Sequence, residues 1–597
     1  LMARAYGCAN LPDSSNFCHE PSGYALKQVI GVGKGTCSLE DFEHAQLFIV
    51  IGQNPASNHP RMMSALYEAK KRGAKVLVLN PLKEKGFTHF SDPKNFGELI
   101  QDKGIAVADA IYQVRIGGDL AALKGVLKAL FELDYHASDS VLDHAFIHAH
   151  TIGFETVKQE AEQVSWESIE QFSGLSRVQL RELAQYYADS PSTIISWCMG
   201  VTHHEYAVET IQYINNLLLL KGNIGKVGAG ALPVRGHSNV QGDRTMGATS
   251  SVSAQWIANM EATFPGVQLN AEQGRDACRV IDGLFDRSIK ALFSLGGNFG
   301  VAAPDSPRVL DALTQCKLTV HITTKLNRTH CYPGEVALIL PTLGRTDIDA
   351  RQGVEQWIST EDTSSTIRRS QGIQLPIIER QLSEPKIVAN IGALIAKNAD
   401  RIPWLAMADD YSLIRTCIEK CQQSVTQGFE QFNERLLRDG SFQLPNLAAQ
   451  RQWNTPSGRA EFRAHPLKEN AHIRFAQSRH GNDILILMTL RSHDQFNTTV
   501  YSDDDRYRGV FGNRRVLLMN EQDMNERHLV NGNKIDIKSI YADGVERCVR
   551  QFTVLPYDIP QGCAAAYFPE ASPLIAASVS SSHTRTPMYK EVPILIC

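Results

Sequence analysis

Residues 16–27, SNFCHEPSGYAL, set a cysteine and a histidine side by side, Cys18-His19, in a polar turn just ahead of a helix-like pattern. A free thiol behaves as a small hydrophobe and joins apolar cores. Here there is no apolar stripe to join, so Cys18 is either structural filler or aimed at a ligand. Two further stretches, GQNP at 52–55 and GGNF at 296–299, pair glycine with asparagine at the ends of apolar runs. Gly52, Gly296 and Gly297 let a backbone approach a ligand closely, and helices that follow such loops offer free amide donors to phosphate. Asn54, Asn58, Asn298 and Asn327 add side-chain donors and acceptors for polar heterocycles. Each loop alone is explained by the turn-forming habit of its residues; the arrangement occurring twice points to a large phosphate-bearing ligand.

The nucleotide motifs with the sharpest signatures are excluded. Neither loop carries G-x-G-x-x-G, and the strands that follow the helices end in Asn80 and in Thr323-Thr324 instead of an acidic ribose-binding residue. The glycine-rich GVGKGT at 31–36 departs from a P-loop because Gly35 separates the lysine from the threonine, and it reads as a structural turn.

Around the loops the pattern alternates. LFIVIG, a turn, RMMSALYEAKKRG and AKVLVLNP read as strand, loop, helix and strand. The plan recurs as IKALFSLGGNF, PDSPRVLDALTQC, KLTVHITTKLNRTH and VALILPTLG. This predicts an α/β fold with parallel sheets covered on their faces and ligands at the carboxyl ends of the strands. RVQLRELAQYYAD and YAVETIQYINNLLLLKGNIG read as helices. Residues 375–475 are poorly patterned, and from about 480 short strands separated by turns suggest a β-rich barrel.

Bulk properties narrow the class. Of 597 residues, 43% are hydrophobic and 21% charged, which suits a globular chain of several domains. A net charge of −4 provides no basic face for nucleic acid and no polybasic membrane anchor. No apolar run reaches the roughly 18 residues of a membrane span. The twelve cysteines form no C-x-x-C, and Cys417 and Cys421 are spaced as helix neighbours, so reduced thiols in a cytoplasmic enzyme are expected. The chain opens without a methionine and in mid-pattern, which leads to the expectation that its true beginning is missing.

Several segments in order resemble the molybdopterin oxidoreductase family that binds bis-(molybdopterin guanine dinucleotide), and within it the formate-dehydrogenase-like alpha subunits. CHEPS resembles the family's metal-ligand turn, EDFEHAQLFIVIGQNPASNHPR its first dinucleotide loop, and PVRGHSNVQGDRTMG its R-G-x-x-N-V-Q-G segment. TPSGRAEF and NEQDMNERHLVNGNKIDIKS resemble the approach to its terminal barrel and the barrel itself. The resemblance implies two Rossmann-like domains and a C-terminal β-barrel of the double-psi type. Residues 1–235 would be the first α/β domain, with the ligand turn at its start, 236–375 the second, 376–477 a connector and 478–597 the barrel.

It also implies roles. Cys18 would ligate molybdenum, His19 would accept a proton and Arg235 would clamp a small carboxylate with its planar fork. Gly52, Asn54, His59, Pro60 and Asn80 would face one guanine dinucleotide, and Gly297, Asn298 and Thr324 the other. Arg491, Asn497 and Lys590 would close over the pterins. The implied activity is two-electron oxidation of a small carboxylate such as formate, passing electrons to a partner protein. An oxo-transfer reductase and a truncated, non-catalytic relative are the alternatives. Two departures bear on this. His237 stands where the formate type carries glutamine, and Glu20 where glycine is usual. The family's N-terminal [4Fe-4S] domain has no ligands in this chain.

Overall fold

The structure, a computed structural model, describes residues 1–92, 94, 104–351 and 353–597. The first set of apolar runs builds one parallel sheet. Its strands are β1 (Leu47–Ile51), β2 (Lys75–Leu79), β3 (Ala110–Tyr112), β4 (Thr193–Trp197) and β5 (Gly230–Pro233), in the order β3-β2-β1-β4-β5. β1 is central, with Leu47 opposite Lys75 on one side and Thr193 on the other. Side chains alternate along it, so the two faces bury different residues. Ile49 and Ile51 join the core beneath α1 (Glu20–Ile30), α3 (Asp119–His136) and α4 (Ala207–Leu220). Phe48 and Val50 join the core beneath α2 (Pro60–Lys71). Both faces are covered, which is why these strands read as continuous apolar runs and not as alternating ones.

The second set forms a three-stranded parallel sheet, β6 (Ala291–Leu295), β7 (Leu318–Thr323) and β8 (Val336–Pro341), with β7 central and largely buried. The terminal strands are β9 (Leu485–Leu490), β10 (Val516–Met519), β11 (Lys534–Ser539), β12 (Arg547–Pro556), β13 (Cys563–Tyr567) and β14 (Val592–Ile596). They close into a barrel in the order β9-β13-β10-β12-β11-β14, mixing parallel and antiparallel neighbours. The α/β class and the closing barrel therefore match the sequence expectation.

Packing gathers the chain into two compact units, each assembled from two stretches. The larger holds 18–236 and 446–597; the smaller holds 1–17 and 237–445. The poorly patterned region is helical over Glu384–Ile395, Trp404–Asp409, Tyr411–Gln422 and Phe432–Asp439, and these helices help build the smaller unit. Its pattern escapes a reading by period because Pro403, Gly428 and Gly440 cut it into short pieces. Cys417 and Cys421 lie on one helix, and all twelve cysteines are free thiols.

Candidate active site

Cys18 and His19 precede the first turn of α1, and both are buried, at 2% and 0% exposure. A thiolate at this position gains from the free amides and dipole of the helix N-terminus. Glu20 is the first residue of α1, where the same dipole favours a carboxylate.

The His19 ring is fully committed. Its Nε2 lies 2.9 Å from the Val234 carbonyl oxygen, which only accepts, so Nε2 carries the proton and donates. Its Nδ1 then accepts from the Ser22 hydroxyl at 2.8 Å, and Ser22 in turn accepts from the Trp197 indole at 2.9 Å. Burial, with the Arg235 charge adding to it, pushes His19 down to about 3. A neutral ring with both nitrogens engaged is a poor proton acceptor. In this setting His19 ties the ligand turn to the ends of β4 and β5.

The Cys198 thiol, at the end of β4, donates to the same Val234 carbonyl at 3.2 Å. Burial drives it up to about 12, and the neighbouring Cys18 thiol adds to the rise. Arg235 follows β5, and its Nη2 donates to the Gly33 carbonyl at 3.3 Å. The glycine-rich turn at 31–35 thus supports the arginine. Gly31, at φ 77°, ends α1.

The first dinucleotide loop depends on two glycines. Gly52 has φ 56°, and a Cβ there would stand 2.8 Å from the Gly200 backbone, while one on Gly200 would stand 2.3 Å from the Gly52 oxygen. Only glycine lets the ends of β1 and β4 meet this closely. Beyond Gly52, the buried Asn54 Oδ1 and His59 Nδ1 have no hydrogen-bond partner. His59 Nε2 donates to the Arg235 carbonyl at 3.1 Å, so its Nδ1 is left as a bare acceptor. Pro60 begins α2, and Asn80, 7% exposed, ends β2.

Two partly buried cations come from the barrel segment. Lys590 Nζ donates to the Thr489 carbonyl, and among the described residues no carboxylate forms an ion pair with it or with Arg491. Burial lowers Lys590 to about 7, with the Arg491 charge adding to it. Burial also lowers Arg491, while the Cys18 and Cys198 thiols near it act the other way. Asn497 sits at φ 52° in a tight hairpin whose Gln495 amide donates to its carbonyl at 2.6 Å.

Gly297, Asn298 and Thr324 belong to the smaller unit. Gly297 has φ 75° and open space where a Cβ would be. Asn298 Oδ1 accepts from the Thr329 hydroxyl at 2.6 Å, which binds that oxygen to its own loop, and Thr324 is exposed. Cys18, His19, Arg235, Gly52, Asn54, His59, Pro60, Asn80, Arg491, Asn497 and Lys590 all belong to the larger unit.

Sequence comparison decides the family. The molybdopterin oxidoreductase family model matches residues 3–341, and that of the molybdopterin dinucleotide binding domain matches residues 485–593. The chain belongs to the molybdopterin oxidoreductase family. It is 40% identical over 597 residues to an uncharacterized oxidoreductase of Mycobacterium tuberculosis, covering 99% of this chain and 75% of that one. A Staphylococcus haemolyticus protein provisionally named a formate dehydrogenase is 29% identical over 350 residues, 58% of this chain and 33% of its own. The solved acetylene hydratase of Pelobacter acetylenicus shares the fold, with a TM-score of 0.71 at 15% identity, covering 100% of this chain and 84% of that one.

The residues present fit a molybdopterin dinucleotide cofactor. Partly buried cations that pair with no carboxylate, such as Lys590 and Arg491, favour the arrival of an anion. The unfilled acceptors on Asn54 and His59 lie in the loop that follows Gly52. Sequence reasoning missed Cys198, Gly200 and His204, although SWCMGVTHH stands at the end of β4, the strand beside β1. The available signal was a cysteine and a glycine just after an apolar run, the glycine as at the Gly52 loop.

Proposed function

We propose that this member of the molybdopterin oxidoreductase family oxidises a small, formate-like carboxylate by two electrons. The observation that carries the reading is Arg235, held by Gly33 at the mouth of β5, with its charge acting on His19 beside Cys18. A planar guanidinium in that position can bind a carboxylate at two points. Cys18 would hold the metal through its sulfur, a soft donor suited to a metal already bound by dithiolene sulfurs. Gly52, Asn54, His59 and Asn80 would hold one dinucleotide, with Arg491 and Lys590 on a pterin portion, and Gly297 and Asn298 would contact the other dinucleotide.

When bound, the bis-(molybdopterin guanine dinucleotide) molybdenum centre supplies the two-electron acceptor. The chain's own groups do the rest. Arg235 orients the substrate, His19 keeps the Cys18 turn fixed against Ser22 and Val234, and Lys590 is placed to receive a proton. Wild-type protein is expected to hold stoichiometric molybdenum with two pterin guanine dinucleotides and to oxidise small carboxylates with an artificial acceptor. Cys18→Ala should lose turnover while its thermal unfolding stays within about 1 kcal/mol of wild type. Arg235→Lys should raise the KM for carboxylate about ten-fold or more at unchanged molybdenum content. A metal-free, well-folded wild type, or equal losses of KM and cofactor in Arg235→Lys, would remove the reading.

A further inference from the structure

We propose that Asp119, His204 and Glu591 form a buried proton-carrying row that connects the pocket beside Cys18 and Lys590 to solvent through Glu205, Glu209 and His583. The proposal rests on the reading that a proton is released in that pocket. It starts from an arrangement that stability does not explain. His204 stands between two carboxylates, with Nε2 3.9 Å from Asp119 Oδ2 and Nδ1 3.9 Å from Glu591 Oε2. The three side chains are only 9%, 8% and 6% exposed. Ionisable groups stacked in an interior cost free energy that apolar side chains of similar volume would not. His204 Nε2 donates to the Gly200 carbonyl, so Nδ1 is a bare lone pair, buried and without a hydrogen-bond partner, on the side facing Glu591.

Both ends of the row lead somewhere. At the inner end, Gly200 backs onto Gly52 of the dinucleotide loop, and the Lys590 backbone N–H donates to the His203 carbonyl at 3.3 Å. Lys590, next in sequence to Glu591, is thereby held beside His204, whose ring its charge affects. At the outer end, the Glu205 backbone N–H donates to Glu591 Oε2 at 3.1 Å. Glu205 and Glu209 each keep one buried carboxylate oxygen without a partner. Glu209 Oε1 then meets His583 Nε2 at 3.1 Å, and the His583 side chain is 43% exposed, stacked on Tyr24. Tyr206 and His465 are further titratable groups near these carboxylates, with Arg474, Lys124 and Arg463 acting on them.

The protonation states agree with the geometry. Burial raises Asp119 and Glu591 to about 7 and lowers His204 to about 4. Lys590, lowered to about 7, matches the two carboxyls. Groups close to half-protonation at neutral pH exchange protons with little penalty in either direction. Each hand-off moves one proton and no electrons. Protonated Lys590 gives its proton to His204 at Nδ1, which hands it to the Glu591 carboxylate, and it leaves by way of Glu205 and Glu209 to His583 and water. Glu591 can also protonate His204 at Nδ1, which releases its Nε2 proton to Asp119, making Asp119 a reservoir.

Two measurements on the purified full chain test the row. Infrared spectra from about pH 5 to about pH 9 should show protonated-carboxyl bands that titrate near neutrality. One should vanish in Glu591→Gln and one in Asp119→Asn. After a pH jump, uptake of protons into those bands should slow about ten-fold or more in Glu209→Gln. This arm needs no turnover, so it decides the row even where carboxylate oxidation is absent and the functional reading falls. In the turning-over enzyme, Glu591→Gln should lower kcat about ten-fold or more with KM and molybdenum content unchanged. It should also enlarge the solvent deuterium isotope effect and be partly rescued by added imidazole. Carboxyls fully ionised at neutral pH, an unslowed uptake, or an unchanged kcat and isotope effect would each overturn the proposal.

Discussion

His204 and Glu591 share one environment, and burial drives both toward neutrality, so their effects on stability run in opposite directions with pH. His204 titrates at about 4 in the folded chain against 6.5 in an unfolded one. Its contribution is complete above 6.5 and is lost as pH falls toward 4, because the unfolded state takes up the proton first. Glu591, at about 7 when folded against 4.5 when unfolded, contributes most below 4.5 and loses that contribution as pH rises through 7. Urea unfolding at about pH 7.5 and about pH 5 separates them. Relative to wild type, His204→Gln should gain about 2 kcal/mol on that acid step and Glu591→Gln should lose about 2 kcal/mol. Parallel slopes in the two variants would show that burial is not what sets their protonation. Neither Asp119 nor Glu591 stands out in the sequence. An Asp in RIGGDLAAL and a Glu in MYKEVPIL look like surface charges beside apolar runs, and only tertiary packing brings them to His204. Cys18 and Gly52 were legible because their chemistry is local, in a thiol with no core to join and a glycine where two strand ends must touch.

At the level of elements, the site is a meeting of strand ends. β1 ends in Gly52, β4 in Cys198 and Gly200, and β5 in Val234 and Arg235, while the N-terminus of α1 brings Cys18 and His19 to them. The apolar runs of β1 and β2 announced a covered parallel sheet. The order β3-β2-β1-β4-β5, which makes β1 and β4 neighbours across more than 140 intervening residues, could not be read from any of them. The tightness of that junction predicts a graded result. Gly200→Ala places a methyl 2.3 Å from the Gly52 oxygen, whereas Gly297→Ala meets open space at φ 75°. The first should cost about 2–3 kcal/mol by overpacking and lose cofactor, and the second about 1 kcal/mol from backbone strain alone. Thermal unfolding with pterin analysis compares the two. A Gly200→Ala protein that unfolds like wild type with full cofactor would mean that the strand ends move apart freely.

Across the whole molecule, the larger unit joins a parallel sheet and a mixed barrel that lie over 200 residues apart in the chain, through a few buried polar ties. Arg508 makes one of them. Its Nη2 donates to Glu84 Oε1 at 2.6 Å, its Nη1 to Asp505 Oδ2 at 2.7 Å, and the same Nη1 to the Arg491 carbonyl at 2.9 Å. The Arg508 and Glu84 side chains are 4% and 5% exposed. Such a pair adds little net stability over apolar residues of similar volume, yet losing one member leaves a buried charge stranded, at about 3–5 kcal/mol. It also holds the loop that carries Arg491, so stability and positioning can be separated. Arg508→Met should destabilise the chain by about 3 kcal/mol, and Arg508→Met with Glu84→Met should recover part of that loss, because Glu84 is then no longer left alone while Asp505 still lacks its cation. Asp505 keeps the Tyr567 hydroxyl as a donor at 2.9 Å in both variants. Cofactor content should stay low in both, since the Arg491 carbonyl has lost its donor whatever becomes of Glu84. Denaturant unfolding beside molybdenum and pterin analysis reads both quantities. If the double variant regains cofactor along with stability, the tie only fastens barrel to sheet and does not place Arg491.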